Sequence, residues 1–272
     1  MWELDERSGR KNCRDIDGDG QGDPEAGTDL NRNYSFAWGD LGESGSSSWP
    51  RSWMYRGSSA ESELETQAYV NLARRLVPAA ALSQHAYGNM LLSPYTTDAK
   101  RVTKPDIPWI VGSSLVTGLG EAPFVEKKMR LKRKMYRVDG TSQDWLLYEF
   151  GTLAYIVEGP TDNLLDSESR QRVMDYLRPI SFRLIERVAS GPRISGVVRT
   201  GDRRLSEARV YVEEWKTFNG ERWSTRASGY FDRMLHRNGE FTLIVDAPGF
   251  APWRKRISVD GPTYVDVVLE PE

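Results

Sequence analysis

The sequence predicts an α/β protein, a mixed β-sheet with flanking helices over residues 1–190, followed by a small all-β sandwich over residues 193–272. Three observations carry that reading. Strand-like apolar segments alternate with amphipathic helical segments as far as Val188, the order expected where helices pack on a sheet. Ser190-Gly191-Pro192 then forms a turn-rich junction. Beyond it, short runs rich in Val, Ile, Tyr and Thr are separated by Gly, Asp, Asn or Pro and carry no helical period, the pattern of a sandwich.

Taken in order, residues 8–60 are rich in Gly, Ser, Asp and Asn and predict a long loop-rich stretch. Ser62-Glu63-Leu64-Glu65 leads into a helix that runs to Leu76, with Leu64, Tyr69, Leu72 and Leu76 at helical spacing and Pro78 as its stop. Ala80-Ala81-Leu82 runs on into Ser83-Gln84-His85 as a short buried strand, and residues 107–118 read as helical. Lys127, Lys128, Arg130, Lys132, Arg133 and Lys134 form a basic run that reads as a solvated face rather than a pocket wall. Trp145–Glu158 is dominated by aromatic and aliphatic residues and reads as a central strand. A second amphipathic helix spans Ser167–Val188, burying Val173, Tyr176, Leu177, Ile180, Leu184 and Val188 and interrupted by Pro179. In the last part, Ile194–Val198, Ala208–Glu213, Phe241–Val245, Arg256–Val259 and Tyr264–Leu269 are the predicted strands.

Composition bounds the function. A chain of 272 residues exceeds one typical domain of roughly 100–200 residues and accommodates two. Apolar residues make up 39% and charged residues 28%, and a formal charge of -2 gives no electrostatic reason to expect nucleic acid as a partner. No apolar run approaches the ~18–20 residues of a membrane span. The acidic start, Met1-Trp2-Glu3-Leu4-Asp5-Glu6, carries no export signal. Cys13 is the single cysteine, so no intramolecular disulfide is available and cysteine usage does not identify a compartment.

Four local features could carry chemistry. Gly27-Thr28-Asp29-Leu30-Asn31-Arg32-Asn33 sets a guanidinium and two amides in a glycine-flanked loop able to clamp a carboxylate, or forms an ordinary surface turn. His85, at a strand end, could ligate a metal through a neutral nitrogen or be a plain polar residue; the other histidine, His236, lies in the β part. Glu158 closes an apolar strand, where burial raises a carboxyl pKa toward the range useful to a general base. Asp15, Asp17, Asp19 and Asp23, spaced by glycines, read equally as a calcium loop or as an acidic solvated one.

In combination these features resemble the zinc metallocarboxypeptidases that include carboxypeptidases A and B and the regulatory N/E subfamily. The resemblance runs in order through Arg10-Lys11-Asn12, Gly27 to Asn33, Tyr55-Arg56-Gly57, Ser62-Glu63-Leu64-Glu65-Thr66, His85-Ala86-Tyr87-Gly88, Pro94-Tyr95, Tyr136, Trp145 and Glu158. It implies His85 as a zinc ligand, Arg10 as the group that stabilises the oxyanion, Asn31 and Arg32 as holders of the substrate's terminal carboxylate, and Tyr136 as the residue that closes over it. Glu158 matches the general base, and Gln143 falls at the base of the specificity pocket. Gln143 is similar to the N/E subfamily, as are the β-domain motifs Gly229-Tyr230-Phe231, Ala247-Pro248-Gly249-Phe250 and Val265–Leu269, which look transthyretin-like.

The implied reaction is hydrolysis of the last bond of a peptide or protein substrate by metal-activated water. One departure qualifies it. Relatives carry a His-x-x-Glu ligand pair well upstream of the arginine that Arg10 matches, and only nine residues precede Arg10 in this chain. The sequence therefore predicts an incomplete sheet and a truncated, N-terminally shortened form inactive alone, since catalytic zinc uses three protein ligands. An alternative is a non-catalytic protein that binds peptide C-termini at Asn31, Arg32 and Tyr136. The resemblance also implies an extracytoplasmic, secreted or periplasmic, location.

Overall fold

The computed structural model describes residues 10–12, 15, 27–98, 100–161 and 166–272. Cys13 and three of the proposed calcium carboxylates, Asp17, Asp19 and Asp23, lie outside the described residues.

From Gly27 to Glu63 the described chain is loop, apart from single 3-10 turns at Leu30–Arg32 and Gly42–Ser44 and an isolated bridge between Ser47 and Tyr55. Helix α1 (Leu64–Leu76) follows, ending at Val77 in a left-handed conformation. Its buried residues are Thr66, Val70 and Ala73, while Leu64, Leu72 and Leu76 face solvent. The predicted apolar face is thus corrected. Both faces share the same period, and the core takes the smaller side chains, which let the helix approach closely. Tyr69 sits at the boundary, its ring edge-on to buried Tyr34 at 5.8 Å.

Strands β1 (Ala80–Ala86), β2 (Met90–Leu92), β3 (Arg130–Lys132) and β4 (Leu153–Gly159) form one sheet in the order β1-β4-β2-β3. β4 is buried along its whole length, parallel to β1 and antiparallel to β2. Two-sided burial explains its unbroken apolar run. β1 differs from expectation: among the described residues it is an edge strand, with half-exposed side chains rather than buried ones. Helix α2 (Ile107–Val116) is capped by Asp106, whose carboxylate accepts from Trp109 N at 3.1 Å.

The larger correction concerns Trp145. Residues Ser142–Phe150 form helix α3, and only Leu153–Gly159 is strand. α3 buries Gln143, Asp144, Trp145, Leu146, Leu147 and Phe150, and a helix buried on all sides has no amphipathic period to announce it. Gly151, at φ 73°, ends it in a left-handed C-cap that suits glycine. Helix α4 (Ser167–Ser190) starts on an Asp166 cap and runs unbroken through Pro179. The cost of an interior proline, about 3 kcal/mol, is offset by burial of Ile180 and Leu184 against the main apolar core.

Residues 193–272 carry strands and no helix: β5 (Arg193–Thr200), β6 (Arg203–Arg204), β7 (Arg209–Val212), β8 (Tyr230–Met234), β9 (Gly239–Asp246), β10 (Trp253–Val259) and β11 (Pro262–Val268). One sheet has the order β10-β9-β7; in the other, β11 lines one side of β5, and β6 and β8 pair with it as well. A single apolar cluster including Ile194, Val198, Val210, Phe231, Leu243 and Val267 draws on both sheets. β6 and β8 were absent from the expected strands: β6 is two residues long, and β8 interleaves Asp232 and Arg233 with its apolar residues.

Candidate functional site

The parallel pairing of β1 with β4 places His85 opposite Glu158, one residue before both strands end. The ends of parallel strands are where ligands gather in open α/β sheets. Gly88 closes the corner, since a Cβ there would lie 2.8 Å from Met135 Sδ and 3.6 Å from Glu158 Cβ. Glu158 is 8% exposed. Burial pushes its carboxyl above the usual range, while Arg10 and Arg32 pull it back. Burial holds His85 below its ordinary value, which favours the neutral imidazole, and its Nε2 pairs with Ser83 Oγ at 2.9 Å.

A loop supplies the positive charge. Asn12 and Thr28 tie the Arg10 segment to the Gly27–Asn33 segment, with Asn12 N donating to Thr28 O at 3.0 Å and Thr28 N to Asn12 Oδ1 at 2.7 Å. Gly27 is required there: an added Cβ would sit 1.4 Å from Asn12 O. Asn33 fixes the loop from behind, donating to Arg56 O and Ser59 O and accepting from Glu63 N. Asp29 caps the 3-10 turn and binds Arg10 Nη2 at 2.7 Å, with Arg32 Nε 3.9 Å away.

Both arginines then converge on one phenol. Arg32, 3% exposed, donates from Nη2 to Tyr136 Oη at 3.1 Å, and Arg10 Nη2 lies 3.4 Å from the same oxygen. Arg10 is further held by Trp53, whose carbonyl accepts from Nε at 3.0 Å and whose ring lies 4.8 Å beneath the guanidinium. Asn31 turns its amide oxygen to Ser142 N at 2.9 Å, which ties the loop to the start of α3.

α3 presents Gln143 and Asp144 inward. Gln143 donates to Thr96 Oγ1 at 2.9 Å, and its own Oε1 has no partner among the described residues. Asp144 accepts from Thr96 N, Thr97 N and Thr96 Oγ1, yet burial pushes its carboxyl up to about 6.

The structure thus brings Arg10, Asn31, Arg32 and Tyr136 together, pairs His85 with Glu158, and reaches Gln143 through α3. Lys127, Lys128, Arg130, Lys132 and Lys134 are exposed, while Arg133 is half-buried and binds Asp106 and the Pro94 carbonyl. Asp29, Trp53 and Asp144 were given no role by sequence reasoning. Trp53 lies 43 residues from Arg10 in sequence, so no local signal links the two. For a metal ion, His85 stands without companions: no group of three His, Cys, Asp or Glu that could share an ion occurs among the described residues.

A profile described as zinc carboxypeptidase matches residues 2–174. Among curated proteins, carboxypeptidase B of Bos taurus is 42% identical over 76 residues, covering 27% of this chain and 18% of the relative. Mast cell carboxypeptidase A of Homo sapiens is 30% identical over 130 residues, covering 46% of this chain and 30% of the relative. The chain therefore spans less than half the length of the curated relatives it matches. Among solved structures, bovine thrombin-activatable fibrinolysis inhibitor in complex with tick carboxypeptidase inhibitor aligns with a TM-score of 0.55 at 23% identity, covering 65% of this chain and 61% of that one. At that identity the likeness speaks for the fold.

Proposed function

The chain belongs to the zinc carboxypeptidase family, and from that premise we propose that it is part of a metallocarboxypeptidase whose described residues capture the C-terminal carboxylate of a peptide and hold a base beside it. The observation that carries this reading is the convergence of Arg32 and Arg10 on Tyr136 Oη, at 3.1 and 3.4 Å, next to a buried Glu158. A peptide carboxylate replacing the phenol would gain the charge-assisted donor of Arg32, leaving Arg10 for the scissile carbonyl. Asn31 and Arg32 hold that carboxylate, Tyr136 covers it, Gln143 lies under the terminal side chain, and Glu158 takes a proton from water during hydrolysis of the last peptide bond. Arg10 meets the charge that develops on the carbonyl oxygen.

Zinc, which the family implies, is a separate matter. A catalytic zinc needs three protein ligands, and the described residues offer one neutral imidazole, His85. That set does not fit the ion, so no step is assigned to zinc on these residues. The same proposal includes a division at about residue 190, a transthyretin-like identity for residues 193–272, supported by their two strand-only sheets around one core, and an extracytoplasmic location. No described helix is long and apolar enough to cross a membrane.

The test is calorimetric titration with a peptide bearing a free C-terminus and with its C-terminal amide. The free acid binds about tenfold or more tightly, as expected of a hydrogen-bonded charge pair, and Arg32→Ala removes the difference. Equal affinity for acid and amide in the wild-type chain rejects the reading.

A further inference from the structure

The last four carbonyls of any α-helix lack partners within the helix. In α3 all four accept from residues of the C-terminal β unit, Leu147 O in addition to the Gly151 N–H of the helix's own C-cap at 3.0 Å. Leu147 O accepts from Trp223 Nε1 at 3.0 Å, Tyr148 O from Arg222 N at 2.9 Å, Glu149 O from Ser224 N at 2.8 Å, and Phe150 O from Arg233 Nη1 at 2.7 Å. Arg233 is 1% exposed, and its other donors end on the carbonyls of Val210, Asp232 and Trp223. A buried cation at a helix C-terminus is also favoured by the helix dipole.

The other end of α3 touches the carboxylate loop and the pocket floor. Ser142 N donates to Asn31 Oδ1, and Gln143 and Asp144 bind the Thr96–Thr97 segment. A helix of nine residues is ~13 Å long at 1.5 Å per residue. It is therefore a short strut with one end in the β unit and the other on Asn31.

We propose that Trp223 and Arg233 are positioning residues for the peptide-terminus site: the β unit caps α3 from outside and so sets where Asn31 and Gln143 stand. This rests on the peptide-binding reading above. It requires that loosening the C-terminal cap be felt at Ser142–Asp144 as well as at Leu147–Phe150. A merely structural clasp would lower stability without moving the far end.

The experiment uses the full chain. Arg233→Met would remove a buried donor from four carbonyls and risks unfolding, so the primary variant is Trp223→Phe, which keeps the aromatic packing and removes one of the two donors to Leu147 O. Arg222→Ala serves as a control, because its backbone N–H bond to Tyr148 O remains and what it removes from α3 is an exposed ion pair with Glu149 at 3.3 Å, a contact that contributes little to stability. Amide hydrogen exchange is followed at residues 142–144 and 147–150, and binding of free-acid and amidated peptides is measured well below the melting temperature. For Trp223→Phe we expect faster exchange at both ends of α3 and a roughly three- to tenfold smaller preference for the free acid, the scale of one net hydrogen bond, with Arg222→Ala close to wild type. Faster exchange confined to residues 147–150, with the acid preference unchanged, overturns the proposal. If the wild-type chain shows no acid preference at all, the peptide reading fails, and exchange at residues 142–144 still decides whether the cap is transmitted.

Discussion

Glu158 illustrates how one residue couples binding to pH. Its burial raises its pKa, and the nearby charges of Arg10 and Arg32 oppose the rise. A bound carboxylate would neutralise Arg32 and add a like charge, so binding pushes the Glu158 pKa higher still. By linkage, binding then takes up a proton, and affinity is highest at low pH and falls as pH rises through the free-state pKa, above the usual glutamate range. The expected result is a falling affinity for free-acid peptides across that window, visible as buffer-dependent calorimetric enthalpies. Glu158→Gln should flatten the profile and bind more tightly at neutral pH. A flat profile in the wild-type chain would place the peptide carboxylate away from Glu158.

At the scale of elements, α3 carries a second ionisation. The unfolded Asp144 carboxyl releases its proton near 3.9, whereas the folded one holds it to about 6 because burial outweighs the donors from Thr96, Thr97 and Thr141. Between those values folded Asp144 binds more protons than unfolded Asp144, so its contribution to stability is greatest below about 4 and is lost as pH rises toward about 6. One such group contributes a slope of up to ~1.4 kcal/mol per pH unit. Denaturant melts at several pH values should show it, and Asp144→Asn, though less stable overall, should lack that component. The same helix marks where the sequence stopped being legible. α1, α2, α4 and β4 announce themselves by period, caps or an unbroken apolar run, and Arg10, Asn31, Arg32, His85 and Glu158 by motif order. α3 does not, because Trp145-Leu146-Leu147-Tyr148 is aromatic and aliphatic in the manner of a strand and becomes a helix only through burial on every side. The sequence was equally silent on Asp29 and Trp53, whose roles depend on Arg10 arriving from a different stretch of chain, and on the exposed faces of α1 and β1, where two amphipathic choices are equally periodic.

For the whole molecule, the decisive question is whether the β unit is an appendage or part of the same folding unit. The two apolar cores are separate, yet Met234 belongs to the core built on α1 to α4, and Trp215 packs against both. Around them the segment 216–224 runs along the larger part: Lys216 pairs with Lys104, Asn219 exchanges hydrogen bonds with Arg101, and Glu221 binds Tyr95 Oη at 3.3 Å. With the four α3 carbonyls, these bonds contribute about 1 kcal/mol each, and burial of the Trp223 indole adds a few more. Their sum is comparable with the ~5–15 kcal/mol that holds a typical domain together. A chain ending at Ser190 would lose all of them and expose Leu147, Phe150 and Leu153. The expected outcome is a fragment without a cooperative thermal transition, with helical far-ultraviolet dichroism but little near-ultraviolet signal, because packing around Trp145 fails first. Calorimetry of the full chain gives the complementary result, a single transition rather than two. A fragment 1–190 that melts cooperatively near the full-length temperature would show that the β unit is an appendage, whose cap on α3 adds little to the fold.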